Sequence, residues 1–308
     1  MKTQKMSADE LDFIQDAVLF LEGDHFLVSI AQKLGKPIDR LQEKLPESAR
    51  RILHQAIETS LKKALRISIE TIKAPPVHVP TPEWENARSR IKQHAWLHTA
   101  AVTTTGAISG ALGISALLVE LPISTSIILR SISSVAQEWG HDLRDPETQL
   151  QCLFIFSLGS NLSSKDDEMD TSYLASRLAY QRLLGEAAAF LGQHGAKDLL
   201  LALDRGAPVL LRLLGVLGPA FERTMIKKFM SKALPIIGAA GGAAINAAFC
   251  HYFTEAARYH FGLLYLEKKY GSDAVRRGYS RTIETQLERQ KQEPKPEQGS
   301  GHSDLKTS

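Results

Sequence analysis

The stretch "GAAGGAAINAAF", residues 238–249, decides the fold, because it lies in an uncharged run, 233–254, that is compatible with three structures. The run is long enough to span a bilayer, which takes about 20 apolar residues. It could also form a tightly packed core helix or a phosphate-binding loop. The phosphate loop is disfavoured because no Gly-Lys-Ser/Thr follows the glycines and no strand is predicted before them. The choice is therefore between a membrane span and a core helix.

A second uncharged run, residues 97–119, also contains two glycines four residues apart. Small residues at this spacing let two helices approach closely, in a membrane or in a soluble bundle. Large apolar side chains are sparse, so each run would gain only about 2–5 kcal/mol at mid-membrane, and its polar side chains oppose insertion. We predict two buried helices that cross closely, with shallow or reversible membrane insertion as the alternative. The glycines are Gly106, Gly110, Gly238 and Gly242.

The rest of the chain also has helical patterning. The segment 46–72, "PESARRILHQAIETSLKKALRISIETI", places apolar residues on one helix face and Arg and Lys on the other. Residues 148–159 have strand-like content, but their flanks favour a helix. No long alternation of polar and apolar residues occurs, and no Asn-Gly turn. The predicted fold is all-α, a multi-helix bundle with Gly/Ala-rich central helices.

Several residues predict where helices begin and end. Ser7 and Glu10 have the spacing of a capping box, and Asp145-Pro146 is a typical helix start. Pro122 is expected to break the chain between two helices, and Gly271 is expected to end the last long one. Helix boundaries are thus predicted along most of the chain.

The domain organisation is predicted from two changes in composition. The proline-rich stretch 74–82, "APPVHVPTP", separates an N-terminal helical region, 1–73, from a helical domain, 83–288. The last residues, 289–308, are polar and have almost nothing to bury, which predicts a disordered tail.

Composition and motifs exclude several classes of function. The 308 residues carry a formal net charge of only +3, so no nucleic-acid partner is expected. The N-terminus lacks a signal peptide, which predicts a cytoplasmic protein. Cys152 and Cys250 lie far apart in apolar surroundings, so a disulfide or cysteine metal site is not expected. No Gly-x-Ser-x-Gly motif occurs, and no cofactor is predicted.

Two long segments resemble the two characteristic blocks of the EcsC protein family. They are "GALGISALLVELPISTSIILRSISSVAQEWGHDLRDPETQLQCLFIFSLG", 110–159, and "PIIGAAGGAAINAAFCHYFTEAARYHFGLLYLEKKYG", 235–271. The resemblance extends over about residues 48–271. One departure is that many relatives have an Asp between two prolines near the Leu-Pro motif, where this chain has Glu120, Pro122 and no second proline.

The family resemblance implies a bacterial protein that acts near the membrane. The family takes its name from a product encoded beside an ABC transporter, so a membrane transporter is one partner that the resemblance implies. It does not imply a particular reaction.

Glu120 and Arg130 are the only charged residues between Leu97 and Ala136. In a packed bundle both would be partly buried, and buried charges need partners. The structural interpretation is that they pair with each other or that Arg130 pairs with Asp142. The functional interpretation is that Arg130 binds an anionic lipid headgroup.

The second block contains the other candidate site residues. Asn246 is expected to join two helices by hydrogen bonds. His251, Glu255 and His260 are predicted to lie on a similar side of one helix, where a metal site would need a further ligand. No HExxH motif occurs, so metal is not expected, and an ion network that includes Arg258 is favoured.

Two functional hypotheses follow. The first is a non-enzymatic, membrane-associated helical protein, cytoplasmic or peripheral to the inner membrane, that binds lipid or a membrane partner. The basic cluster Arg276, Arg277 and Arg281 would contact anionic lipid, or would simply be a solvated helix face. The second is a soluble hydrolase-type enzyme. Its polar site would be built from Glu120, Arg130, Asn246 and His251, Glu255 and His260.

Overall fold

The computed structural model describes residues 5–23, 47–75, 84–85, 87, 89–91, 99–103, 116–158, 172–232 and 239–292. These residues form helices and connecting turns, and no strand occurs among them. The prediction of an all-α helical bundle is therefore confirmed. The helices are α1 (Ala8–Leu21), α2 (Glu47–Ile72), α3 (Leu117–Glu138), α4 (Pro146–Phe154) with a 3₁₀ turn (Ile155–Ser157), α5 (Ser172–Gln193), α6 (Ala196–Asp204), α7 (Pro208–Lys232), α8 (Ala239–Tyr270) and α9 (Ser272–Gln292).

The predicted helix ends have the expected geometry. The Ser7 amide donates to Glu10 Oε2 at 2.7 Å, and the Glu10 amide donates to Ser7 Oγ at 3.3 Å, which completes the capping box. The carboxylate of Asp145 accepts two backbone hydrogen bonds at the start of α4. Gly271 has a φ of 86°, the left-handed conformation in which glycine ends a helix without strain.

The predicted break at Pro122 is wrong, because α3 runs through it from Leu117 to Glu138. A proline inside a helix removes one backbone hydrogen bond, here the bond to the carbonyl of Leu118. Pro122 is itself buried in the packing of α3 against α2 and α8, and this burial outweighs the lost bond.

Two helices have boundaries that the signals described above do not mark. They are α6 (Ala196–Asp204) and α7, which ends at Lys232. Helix α9 also extends to Gln292, so the first four residues of the predicted tail are helical. Residues 293–308 lie outside the described part of the chain.

Helix α3 joins two helices that lie far apart in the chain. It packs against both α2 and α8. The Ser131 and Thr254 hydroxyls lie 2.8 Å apart and Glu120 contacts Asn246, so α3 and α8 run parallel. Buried apolar residues of α1 and α2 belong to the same core as those of α3 to α9. The predicted regions 1–73 and 83–288 therefore share one core.

Helix α1 is attached to the C-terminal end of α8 by a buried carboxylate. Glu10, 3% exposed, accepts hydrogen bonds from Lys269 Nζ and the Tyr270 hydroxyl, each at 2.8 Å. Phe13 packs edge-on against Trp139 of α3, with ring centroids 5.6 Å apart. The same glutamate thus caps its own helix and joins it to a helix far along the chain.

The two uncharged runs are only partly described. Gly106, Gly110 and Gly238 lie outside the described residues, and Gly242 lies within α8. The predicted close crossing of these glycines therefore stays a prediction. Among the described helices, only α3, over residues 118–138, is long and apolar enough to cross a bilayer, and 56% of that stretch is buried.

Gly262 of α8 is a point of close packing that the sequence pattern did not single out. A Cβ at this position would overlap the Phe13 ring, 2.6 Å from Cε1, and would lie 3.0 Å from Trp139 Cζ2. We expect Gly262→Ala to cost about 1–3 kcal/mol of unfolding free energy through overpacking. Gly185→Ala, where no atom lies within 4 Å, should instead stabilise by about 0.5–1 kcal/mol. Thermal melts of both variants test this, and equal shifts would contradict it.

Candidate functional site

Glu120 and Asn246 form a buried polar contact between α3 and α8. Glu120 is 5% exposed and Asn246 is fully buried. Asn246 Nδ2 donates to Glu120 Oε1 at 2.8 Å and approaches the Val102 carbonyl at 3.3 Å. The predicted role of Asn246 as a cross-link between helices is confirmed. Because a buried carboxylate is costly without hydrogen bonds, this amide accounts for part of the stabilisation of Glu120.

Arg130 does not have the environment predicted for it. Its side chain is exposed, and the described part of the chain provides it with no ion pair. Asp142, one of its predicted partners, instead pairs with Arg144 at 2.8 Å. The reason is the position of Arg130 around α3. It lies ten residues after Glu120, a rotation of about 1000°, so its side chain points about 80° away from that of Glu120.

Exposed apolar side chains lie on the same face of α3 as Arg130. At 100° per residue, Val119, Ile123 and Arg130 fall within about 40° of one another. Val119 is 66% exposed and Ile123 38% exposed, whereas Leu118, which is also exposed, lies about 100° around the helix from Val119. We call Val119, Ile123 and Arg130 the α3 outer face.

The prediction that His251 and His260 lie on a similar side of α8 is wrong. Nine residues rotate the helix by about 900°, which is half a turn from alignment. Accordingly His251 is exposed and His260 is fully buried. Glu255 pairs with Arg258 at 2.9 Å, and the Arg258 guanidinium also contacts the Tyr259 hydroxyl. This ion network agrees with the favoured interpretation of Arg258.

His260 is part of a buried chain of hydrogen bonds that joins three helices. The Tyr173 hydroxyl of α5 lies 2.8 Å from His260 Nδ1, and Gln151 Oε1 of α4 lies 3.0 Å from His260 Nε2. Burial lowers the pKa of His260 well below its usual value, and the charges of Arg177 and His141 lower it further. A neutral imidazole fits this geometry, because Nε2–H can donate to Gln151 while Nδ1 accepts from Tyr173.

Arg177 and Glu267 continue this chain of polar residues. Two guanidinium nitrogens of Arg177 donate to the two carboxylate oxygens of Glu267, each at 2.9 Å. Such a bidentate pair is a strong, directional contact. The Arg177 guanidinium also lies 5.7 Å from the centre of the Tyr173 ring, and burial raises the pKa of that tyrosine. We call Gln151, Tyr173, Arg177, His260 and Glu267 the α4–α5–α8 network.

The seven predicted site residues therefore lie in separate places. Glu120 and Asn246 are together, Glu255 and Arg258 form a second pair, and His260 belongs to the α4–α5–α8 network. Arg130 and His251 are on the surface. Within the described ranges, no three His, Cys, Asp or Glu side chains are grouped so that they could hold a metal ion.

The sequence pattern missed four members of the α4–α5–α8 network: Gln151, Tyr173, Arg177 and Glu267. One available signal was Tyr173 and Arg177 themselves, which are four residues apart and so lie on one helix face. Their partners are 87 and 90 residues further along the chain. Spacing within a segment carries no information on contacts of that range.

Comparison with known proteins supports the family resemblance. The model of the EcsC protein family matches residues 25–266, which is well over half of the chain. No curated protein and no solved structure matches this chain. The match includes α2 to α7 and most of α8, the helices that provide Glu120, Asn246 and the α4–α5–α8 network. The chain therefore belongs to the EcsC protein family.

Proposed function

We propose that this chain is a non-enzymatic protein that binds the surface of an anionic membrane through the α3 outer face. The observation that carries the proposal is the exposure of Leu118, Val119 and Ile123 on the helix that also presents Arg130 to solvent. Clustered exposed apolar side chains are typical of interaction surfaces, whereas scattered ones are not. An arginine on the same side of the helix adds attraction to lipid phosphates.

The arrangement favours a helix that lies on the membrane surface over one that crosses it. The inner face of α3 packs against α2 and α8 and includes the Glu120–Asn246 contact. Crossing the bilayer would separate α3 from these partners. Surface binding needs only the outer face, where Arg130 lies about 16 Å along the helix from Val119 at a rise of about 1.5 Å per residue.

Helix α9 provides a second source of positive charge. Arg276, Arg277 and Arg281 are exposed on α9, while Val275 and Tyr279 face the core. A basic residue near an anionic bilayer contributes about 1 kcal/mol, and salt screens this attraction. We therefore propose that binding combines the apolar α3 outer face with electrostatic attraction, at a cytoplasmic location peripheral to the inner membrane.

Vesicle cosedimentation tests this proposal. The wild-type chain should bind vesicles that contain phosphatidylglycerol at low salt, and should bind neutral vesicles or high-salt samples less. We expect the double variant Val119→Asp, Ile123→Asp to lose at least tenfold in binding, because charge on an apolar contact opposes insertion. Leu178→Asp is the matched control, since Leu178 is 55% exposed on α5 and should bind normally.

Two outcomes would contradict the proposal. One is a wild-type chain that binds no anionic vesicle at low salt. The other is an equal loss of binding in the α3 variant and in Leu178→Asp, because that loss could not be assigned to the α3 outer face. Circular dichroism of each variant shows whether it remains folded.

A membrane transporter is the second partner class that we propose, because the family is named after a product encoded beside one. The enzymatic alternative has less support. A hydrolase needs an acid, a base and a substrate cavity in one place. Glu120, Arg130, His251 and His260 are held apart, and His260 is fully buried.

A further inference from the structure

A groove of about 270 Å³ lies between α2 and α7. Helix α2 runs antiparallel to α7 here, with His54 beside Glu222 and Leu61 beside Gly218. The floor and walls are mainly apolar, with charged side chains at the rim. The apolar lining includes Ile57, Leu61, Leu211, Leu214, Gly215 and Gly218.

The groove exists because α7 lacks side chains where it faces α2. A Cβ on Gly215 would meet no atom within 4 Å, and one on Gly218 would meet only Leu61 Cδ1, at 3.9 Å. Pro219 lies inside α7 and has no amide hydrogen, so the Gly215 carbonyl lacks the usual helical donor. The result is an apolar groove in which the Gly215 carbonyl is available as a hydrogen-bond acceptor.

A basic recess of about 250 Å³ adjoins the groove. Lys62, Lys63, Arg66 and Asp204 line it together with Leu203, and Lys62 lines the groove as well. Three cations and one carboxylate give the recess a formal charge of +2. Lys62 pairs with Glu58 and Arg66 with Asp204, each at 2.6 Å, whereas Lys63 forms no ion pair with a described residue.

The groove and the recess together form a site whose two ends differ in charge. Glu222 and His54 lie at one end, and the three cations lie at the other, about 12–18 Å along α2 from His54 at a rise of about 1.5 Å per residue. An anionic headgroup is therefore attracted to the Lys63 end and repelled by Glu222. An attached hydrocarbon chain would then lie along Leu61, Leu214 and Gly218.

We propose that the α2–α7 groove binds a single-chain anionic amphiphile of the long-chain carboxylate class, with its carboxylate at Lys62, Lys63 and Arg66. Neither part alone identifies this ligand, because apolar grooves and basic patches are each common. Their junction at Lys62 fits a molecule with one apolar chain and one negative end. The inference rests on the proposed lipid-binding function but uses a surface separate from the α3 outer face.

Calorimetric titration with dodecanoate, kept below its micelle concentration, tests the site. Gly215→Leu fills the groove while favouring the helix, and it should weaken dodecanoate binding at least tenfold. Gly185→Leu is the matched control, because Gly185 is also an exposed helical glycine with no atom within 4 Å of its Cβ position. It should bind as the wild type does.

Charge variants test the orientation. Lys63→Glu should weaken dodecanoate binding several-fold, and Lys197→Glu, at an exposed position of α6, should not. Dodecyltrimethylammonium, with the same chain and the opposite charge, should bind the wild type at least tenfold more weakly than dodecanoate. Melting temperatures within a few degrees of wild type would exclude misfolding as the cause.

Three results would overturn the inference: no dodecanoate binding to the wild type, equal losses in the two leucine variants, or equal affinity for the cationic amphiphile. Vesicle binding separates this inference from the proposed function. Gly215→Leu should still bind vesicles, and Val119→Asp should still bind dodecanoate. Either activity can therefore fail while the other persists.

Discussion

Arg177→Ala should lower the free energy of unfolding by about 3–5 kcal/mol, the usual cost of removing one partner from a buried ion pair. The Arg177 and Glu267 side chains are only 21% and 15% exposed, and they share two hydrogen bonds of 2.9 Å. The substitution leaves the Glu267 carboxylate without its bidentate partner. It also removes the guanidinium that packs near the Tyr173 ring.

The surface pair Arg182–Glu186 on the same helix is the matched control. Arg182 is 91% exposed, so Arg182→Ala should change stability by no more than about 0.5 kcal/mol. Adding Glu267→Gln to Arg177→Ala should recover part of the loss, because it removes the uncompensated charge. Urea unfolding measures all four proteins. Comparable costs for Arg177→Ala and Arg182→Ala would contradict the buried ion pair.

The protein should lose stability steeply as the pH falls below about 6.5. Burial lowers the folded-state pKa of His260 below its unfolded value, so the unfolded chain binds the extra proton more readily. The stabilisation from this group is fully present above the unfolded pKa and is lost below it. One such histidine contributes a slope approaching about 1.4 kcal/mol per pH unit.

Several polar and charged side chains surround His260 and affect its protonation. Tyr173 and Arg177 face it from α5 and Gln151 faces it from α4, while Glu267 on its own helix is paired with Arg177. His141 is partly buried and its pKa is also lowered, so it adds to the loss of stability in the same direction.

We expect His260→Gln to be less stable than the wild type at pH 8, yet to lose stability less steeply between pH 6.5 and 5. His54→Gln, at a histidine whose side chain is 69% exposed, is the surface comparison for the same substitution. Urea unfolding at a series of pH values provides the measurement. An unchanged slope in His260→Gln would show that other groups cause the acid sensitivity.

Local sequence signals predicted the helices well, because the interactions that define them lie within a few residues. The Ser7–Glu10 capping box, the Asp145 cap and the amphipathic segment that became α2 are of this kind. Pro122 shows the limit of such signals. The local cost of a proline is readable from sequence, but the burial energy that outweighs it depends on α2 and α8.

The candidate site was predictable only where one residue type had one plausible role. Asn246 was correctly interpreted as a link between helices. Its partner, Glu120, lies 126 residues away and had been predicted to pair with Arg130 instead. The predictions for Arg130 and His260 were wrong because the position of each side chain around its helix, relative to the core, decides whether it is buried. The groove between α2 and α7 depends on two missing side chains, a feature visible only when both helices are in place.

The attachment of α1 through Glu10 has a consequence for how the chain matures on the ribosome. Its anchor, Tyr270, is 260 residues further along. At a synthesis rate of about 5–20 residues per second, α1 waits roughly 13–50 s for that anchor to be made. Phe13, Ile14, Ala17 and Val18, all buried in the finished protein, lack the contacts that α1 makes with α8 and α9 until those helices have been synthesised. Helix α1 thus completes its docking late in synthesis, although it precedes the other described helices in the chain.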